Sequence, residues 1–132
     1  MSILKNDNIK NYQNLEVWKK SMTLSDHVYE IIVNFPDYEK FAMKTQIIRS
    51  CTSISANIAE GNVQYSLKRE LFHLNTAIGS AAETQNWLIH AHKRNYINKE
   101  KFDQLNSEII EIIKMLYGYR KQILGFIECG EE

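Results

Sequence analysis

The chain has 132 residues, of which 44% are hydrophobic and 24% charged, and its 16 basic and 16 acidic side chains give a formal net charge of zero. This length suits one domain with a real core and is too short for two ordinary domains, so we predict a single domain over residues 1–132. The charge balance excludes a protein whose whole surface binds nucleic acid, so any such binding must come from a local patch.

The sequence gives no sign of a membrane or export segment. No apolar run approaches the roughly 20 residues that span a bilayer, and the N-terminus, MSILKNDNIK, lacks the apolar core of a signal peptide. We therefore expect a cytoplasmic protein without a membrane partner. Cys51 and Cys129 have neither C-x-x-C nor metal spacing, and we expect both to be reduced structural residues.

Helix 1 follows a polar N-terminal arm, residues 1–13, which we expect to be ordered only where something holds it. The helix is predicted to begin near Asn14, a common capping residue, and to end at Phe35-Pro36. Its apolar positions form two stripes about 100° apart, which is wider than one core-facing surface requires. A deeply buried helix and a helix that also meets another subunit both fit this pattern.

Helix 2 is predicted from Asp37 to Glu60, with Gly61 as a left-handed C-cap. Its core line has heptad-like spacing and consists of Ile47, Cys51, Ile54 and Ile58. The small residues around that line allow a neighbouring helix to approach closely.

A polar stripe occupies another side of helix 2, because steps of three and four residues return to nearly the same azimuth. Its members are Gln46, Arg49, Ser53, Asn57 and Glu60. A solvated face and a buried or interfacial network both fit this composition. Arg49 and Glu60 lie about three turns apart, too far to pair with each other.

Helices 3 and 4 have the clearest periodicity. Ser66 is predicted to cap helix 3, whose seam alternates steps of four and three through Leu67, Leu71, Leu74, Ile78, Ala81, Gln85, Leu88 and His92. Gly79 inside this helix predicts a close helix contact that offsets its conformational cost. Asn98 is predicted to cap helix 4, which should end at Gly125 and leave a short tail, residues 126–132. Four amphipathic helices with short connections predict an all-α, antiparallel up-down-up-down four-helix bundle.

One set of residues occurs in a specific order along the predicted helices. It consists of Phe35-Pro36, Glu39, Gln46, Arg49, Ser53, the run Asn57 to Gly61, Ala77, Gly79, Ser80 and Glu83. The set resembles the four-helix-bundle family encoded in intervening sequences of bacterial 23S rRNA genes, and the likeness spans roughly residues 12–124. Ser50 departs from the alanine usual there.

The resemblance implies a homo-oligomer, commonly a pentamer, without an established enzymatic activity. It also implies a relation to the accessory protein of diversity-generating retroelements, which engages nucleic acid and a reverse transcriptase. For Gln46, Arg49, Asn57 and Glu60 it favours a packing or assembly network, in which Arg49 and Glu60 pair with neighbouring helices or subunits.

A second candidate site follows from topology, because one end of an up-down bundle collects the starts of helices 1 and 3 and the ends of helices 2 and 4. That end gathers the cations Lys10, Lys19, Lys20, Lys68, Arg69, Arg120 and Lys121 against the acidic residues Glu16, Glu60 and Glu70. Together with a positive helix start, the cations predict a site for RNA or DNA. Ordinary solvated charge is the competing interpretation, and the acidic tail, Glu128, Glu131 and Glu132, would emerge beside these cations.

Motifs for catalysis are missing from the sequence: it has no H-E-x-x-H, G-x-S-x-G, P-loop or dinucleotide glycine pattern. Glu70-Leu71-Phe72-His73 is the only half of a di-iron motif. We therefore predict no catalytic or metal-binding residues, no cofactor and no enzymatic activity. The leading hypothesis is a homo-oligomer that binds nucleic acid through its basic end, and the alternative is a protein-binding scaffold or accessory subunit without nucleic-acid affinity.

Overall fold

A computed structural model describes residues 11–130, which form an antiparallel bundle of four long α-helices. The helices are α1 (Glu16–Ile32), α2 (Met43–Asn62), α3 (Leu67–Lys93) and α4 (Lys99–Glu128). Each packs against its neighbours in the order α1, α2, α3, α4 and back to α1, with α2 and α3 the most extensive pair. The predicted all-α, up-down-up-down fold is confirmed. Within residues 11–130, no helix has the combination of length and apolar character needed to cross a membrane.

Two of the three predicted N-caps are confirmed. The Ser66 hydroxyl accepts from the backbone amides of Lys68 and Arg69, and Asn98 Oδ1 accepts from the Lys101 amide at 2.8 Å. Both side chains satisfy amides that have no partner inside the helix.

Asn14 was expected to cap helix 1, and this prediction is wrong. Asn14 belongs to a short 3-10 turn, Tyr12–Asn14, and α1 starts at Glu16 without a side-chain cap. Asn11 caps the turn instead, because its side chain accepts from the Gln13 amide at 3.0 Å. Tyr12 packs edge-on against Trp18 with ring centroids 5.4 Å apart, which ties the turn to α1. Residues 1–10 of the predicted arm lie outside the described residues.

The predicted start of helix 2 at Asp37 is also wrong. Asp37–Glu39 forms a separate 3-10 turn, and the Ala42 backbone (φ −124°, ψ −103°) interrupts the chain before α2 begins at Met43. Tyr96, from the α3–α4 connection, donates to Glu39 Oε2 at 2.9 Å and holds this turn against the bundle. Helical periodicity does not report a long-range contact of this kind.

Gly61 was predicted as a left-handed C-cap, and it is instead a buried residue inside α2. A Cβ at Gly61 would lie 2.8 Å from Cβ of His73 and 3.3 Å from the Glu70 carbonyl oxygen. Glycine is therefore required here because α3 crosses α2 closely, and the helix ends one residue later at Asn62.

Two other glycines also differ from expectation. Gly79 is exposed and a Cβ there would meet nothing within 4 Å, so the predicted close helix contact at Gly79 is wrong. α4 continues past Gly125 to Glu128, and the left-handed residue that follows is Gly130 (φ 78°). The first three residues of the predicted tail are therefore helical, and residues 131–132 lie outside the described part.

The core is built from the predicted lines of α2 and α4. Ile47, Cys51, Ile54 and Ile58 are completely buried, as are four α4 residues of the predicted heptad, Leu105, Ile109, Ile112 and Leu116. On α1 the stripe with Leu24 and Val28 faces the core, while Met22 and Tyr29 of the other stripe are exposed. The interpretation of helix 1 as a deeply buried helix is therefore wrong.

The buried face of α3 is rotated about the helix axis relative to the predicted seam. Leu74, Ala81 and Leu88 are buried as expected, but the other predicted members are only half-buried. The remaining buried positions are Glu70, Ala77, Thr84 and Ala91. These are mostly small residues, and they let α2 and α3 approach each other closely.

Candidate functional site

A ladder of polar side chains crosses from α2 to α3. Its rungs are hydrogen bonds between Ser50 and Thr84 (2.9 Å), Ser53 and Ser80 (2.9 Å), and Asn57 and His73 (3.1 Å). Residue numbers rise along α2 as they fall along α3, as an antiparallel pair requires. The ladder gives partners to polar groups in the closest helix interface, where leaving one unpaired would cost about 1–3 kcal/mol.

Asn57 fixes the orientation of His73. The Asn57 Nδ2 group donates to the Ser53 carbonyl oxygen at 2.9 Å, so its Oδ1 is the atom that faces His73 Nδ1. His73 Nδ1 is therefore the donor in the hydrogen bond to Asn57 Oδ1. Two of the polar stripe's residues, Ser53 and Asn57, thus serve packing between helices.

A polar groove of about 530 Å³ lies over this ladder, and its lining includes the remaining stripe residues with Glu83 of α3. Gln46 is half-buried, whereas Arg49 and Glu60 are exposed. Neither Arg49 nor Glu60 forms an ion pair with another residue in 11–130. The stripe therefore divides into a packing half and a half that presents opposite charges to the surroundings.

Lys68 and Arg69 are the two predicted cations that the structure brings together. Both are exposed on the first turn of α3, and they line one groove of about 600 Å³ with Glu60 and Phe72. Arg69 Nε donates to Gln64 Oε1 at 3.3 Å, and neither cation has an ion pair within the described residues.

The α1 cations are partly engaged elsewhere. Lys20 pairs with Glu111 of α4 at 3.3 Å, and Lys19 approaches Glu16 of its own helix at 3.9 Å. Both pairs are solvent-exposed, so each stabilises the fold weakly. They also reduce the positive charge available to a partner on the α1–α4 face.

The α4 cations lie on other surfaces. Arg120 Nη1 donates to Asn75 of α3 at 3.0 Å, and its guanidinium sits 4.9 Å from the centroid of the Tyr117 ring. Lys121 is exposed. Six of the seven predicted cations are in the described residues and share a bundle end by topology, and of these Lys68 and Arg69 line a common groove. Lys10 lies outside the described residues.

A buried carboxyl group, which the sequence marked only as part of half a di-iron motif, lies beneath this end. Glu70 is only 3% exposed, and the Tyr119 hydroxyl donates to its Oε2. Asn62 Nδ2 in turn donates to the Tyr119 hydroxyl at 3.1 Å. Burial, reinforced by the Glu70 carboxyl, raises the pKa of Tyr119, so the phenol keeps its proton. The sequence signal for this burial is the position of Glu70, which lies one helical turn before the buried Leu74.

Glu70 and His73 also formed the half-motif for a di-iron site, and they face different helices. Glu70 bonds Tyr119 of α4, whereas His73 bonds Asn57 of α2. Within residues 11–130, no group of three or more His, Cys, Asp or Glu side chains could hold a metal ion. Hydrogen bonding inside the bundle accounts for both side chains.

These features define a class: a four-helix bundle with a polar α2–α3 ladder and an exposed charged groove over it. The family described as 23S rRNA-intervening sequence protein matches residues 13–118, and the chain belongs to this family. The predicted resemblance is thus confirmed.

A solved structure has a similar overall fold. It is the crystal structure of a protein of unknown function from the S23 ribosomal protein family of Bacteroides thetaiotaomicron. That protein is 33% identical to this chain, with a TM-score of 0.74 over 80% of this chain and 95% of the other. No curated protein matches the chain.

Proposed function

We propose that this protein is a homo-oligomeric, non-enzymatic four-helix bundle that binds nucleic acid through its basic end. The observation that carries the proposal is the pair Lys68 and Arg69, which are adjacent, exposed and without ion pairs in residues 11–130. Two such cations can neutralise neighbouring phosphates and release their counterions. Because the chain has zero net charge, this binding is confined to the local patch, and because it depends on neutralised phosphates it weakens as the salt concentration rises.

Assembly strengthens a weak patch. A pentamer, the size that the family resemblance implies, would present five copies of Lys68 and Arg69, and linked sites bind one long ligand far more tightly than a single site does. Lys19, Lys20, Arg120 and Lys121 would add to the field around each copy, with Lys19, Lys20 and Arg120 contributing less because they already have partners.

The polar groove over α2 and α3 is the proposed assembly surface. Arg49 and Glu60 are exposed charges of opposite sign on one face, so one subunit's Arg49 can pair with an acidic residue of the next. A head-to-tail contact of this kind closes into a ring when the rotation between subunits allows it. Gln46 and Asn57 complete the proposed network.

The second candidate function is a protein-binding scaffold without nucleic-acid affinity. It is favoured by exposed apolar side chains near the basic end of the bundle. Val63 is 56% exposed and Phe72 is 66% exposed. Apolar side chains beside cations also suit a protein partner.

The test is a fluorescence anisotropy titration of labelled RNA and DNA at low and moderate salt. We expect salt-sensitive binding by the natural chain and a loss of about tenfold or more at low salt in the double variant Lys68→Gln/Arg69→Gln. The control, Lys93→Gln/Lys99→Gln, makes the same charge change at the opposite end of the bundle and should keep its affinity.

Two results would overturn the proposal. If the natural chain bound neither RNA nor DNA at low salt, the scaffold function would stand instead. If the control variant lost as much affinity as Lys68→Gln/Arg69→Gln, binding would not belong to the basic end.

A further inference from the structure

Two large, exposed aromatic residues lie on either side of the cations in the sequence at the start of α3. Tyr65, in the turn just before the helix, is 94% exposed, and Phe72, one turn after Lys68, is 66% exposed. We call Tyr65, Lys68, Arg69 and Phe72 the aromatic corner. Rings this exposed contribute little to the core, and their position next to unpaired cations invites a ligand with both flat apolar faces and negative charge.

Contacts within the bundle fix the position of Phe72 in the aromatic corner. Phe72 packs edge-on against the ring of His73 with centroids 5.4 Å apart, and His73 is fixed to α2 by its 3.1 Å hydrogen bond to Asn57. Phe72 lies three residues after Arg69 and four after Lys68, so it is a neighbour of both cations on the surface of α3. The groove they line is open and measures about 600 Å³.

We propose that the aromatic corner binds single-stranded nucleic acid, with bases stacked on Tyr65 and Phe72 and phosphates paired with Lys68 and Arg69. This inference rests on the proposed function and narrows its ligand class. A duplex offers the same phosphates but keeps its base faces stacked inside the helix, whereas a single strand presents both.

The exposed aromatics at the opposite end of the bundle are arranged differently. The Tyr38 hydroxyl bonds the Tyr96 hydroxyl at 2.8 Å, and Lys40 Nζ already lies 5.4 Å from the Phe41 ring centroid. Acidic residues of the Asp37–Glu39 turn flank them. That end thus supplies a control: Phe41 is 87% exposed but its neighbouring cation is already engaged with its ring.

The experiment compares a labelled pyrimidine RNA strand of about 15 nucleotides with the same strand annealed to its complement. We expect the single strand to bind more tightly. Tyr65→Ala and Phe72→Ala should each weaken single-strand binding roughly 5- to 100-fold, the range for losing one stacked base, and should leave duplex binding nearly unchanged. Tyr65→Phe keeps the ring and should bind as the natural chain does, and Phe41→Ala should have no effect.

Several results would overturn the inference. One is equal binding of single strand and duplex, together with unchanged affinity of Tyr65→Ala and Phe72→Ala. The proposed function would still stand in that case if Lys68→Gln/Arg69→Gln lost affinity. A fall in oligomer mass in Phe72→Ala, measured by light scattering, would assign the corner to a subunit contact. No binding of either probe would remove this inference and the proposed function together.

Discussion

Gly61 and Gly79 both lie inside helices, yet their surroundings are opposite. A Cβ at Gly61 would lie 2.8 Å from Cβ of His73, an atom close to the backbone that can move only if α3 moves, whereas nothing lies within 4 Å at Gly79. We expect Gly61→Ala to lower the free energy of unfolding by about 1–3 kcal/mol through overpacking. Gly79→Ala should raise it by about 0.5–1 kcal/mol, since alanine favours helix.

Urea unfolding of both variants measures this difference. Equal stability of Gly61→Ala and the natural chain would contradict the close approach of α2 and α3 at this point.

Cys51 gives a pH-dependent prediction. Its side chain is completely buried, and burial raises the pKa of the thiol from 9.0 to about 11. Between these values the unfolded chain releases a proton that the folded chain keeps, so the stabilisation is complete below about pH 9 and is lost as pH rises to about 11.

We expect the free energy of unfolding, measured by urea at about pH 8 and pH 10.5, to fall by about 1–2 kcal/mol more in the natural chain than in Cys51→Ala. Parallel pH dependence in the two proteins would show that the thiol is not responsible. Cys129 is exposed and free, and it leaves this comparison unaffected.

At the scale of elements, the α2–α3 ladder should stabilise this helix pair. Thr84→Val removes the hydroxyl that donates to Ser50 Oγ and keeps the side chain's shape, and we expect a loss of about 0.5–1.5 kcal/mol. The control is Thr76→Val on the same helix, because Thr76 bonds only the Phe72 carbonyl oxygen of its own helix. A loss in urea unfolding that is no greater for Thr84→Val than for Thr76→Val would mean that the ladder adds no stability.

The elements differ in how far sequence could predict them. The core lines of α2 and α4 and the caps Ser66 and Asn98 were predicted correctly, since they depend on local periodicity and hydrogen bonding. The 3-10 turn before α2 and the role of Gly61 were missed, because each involves a contact with a residue far along the chain: Glu39 of the turn bonds Tyr96, and Gly61 lies against His73.

The candidate site was predicted only in outline. Sequence spacing placed Asn57 in the polar stripe, but only the fold shows that it bonds His73 while Arg49 remains exposed. Likewise, charge counting found Lys68 and Arg69 but overlooked the exposed rings beside them. Exposure is a property of the packed bundle, and neither Tyr65 nor Phe72 belonged to the predicted seam of helix 3 or to a charged motif.

At the scale of the whole molecule, several exposed features are consistent with assembly. Met22 is 40% exposed and Tyr29 49% exposed on α1, and Arg49 presents its charge from the groove over α2 and α3. Charged and apolar surfaces that lack partners within residues 11–130 are what a subunit of a ring would carry. If the groove is the contact, Arg49→Ala should weaken the oligomer.

Light scattering of the full chain at micromolar concentration tests the proposed assembly most directly. We predict a mass that is a multiple of the 15.5 kDa of one chain, five-fold for the pentamer, and a lower mass for Arg49→Ala. Arg94→Ala, which removes an exposed arginine bonded only to His90 of its own helix, should keep the natural mass. A natural chain that scatters as a 15.5 kDa monomer would contradict the proposed oligomer.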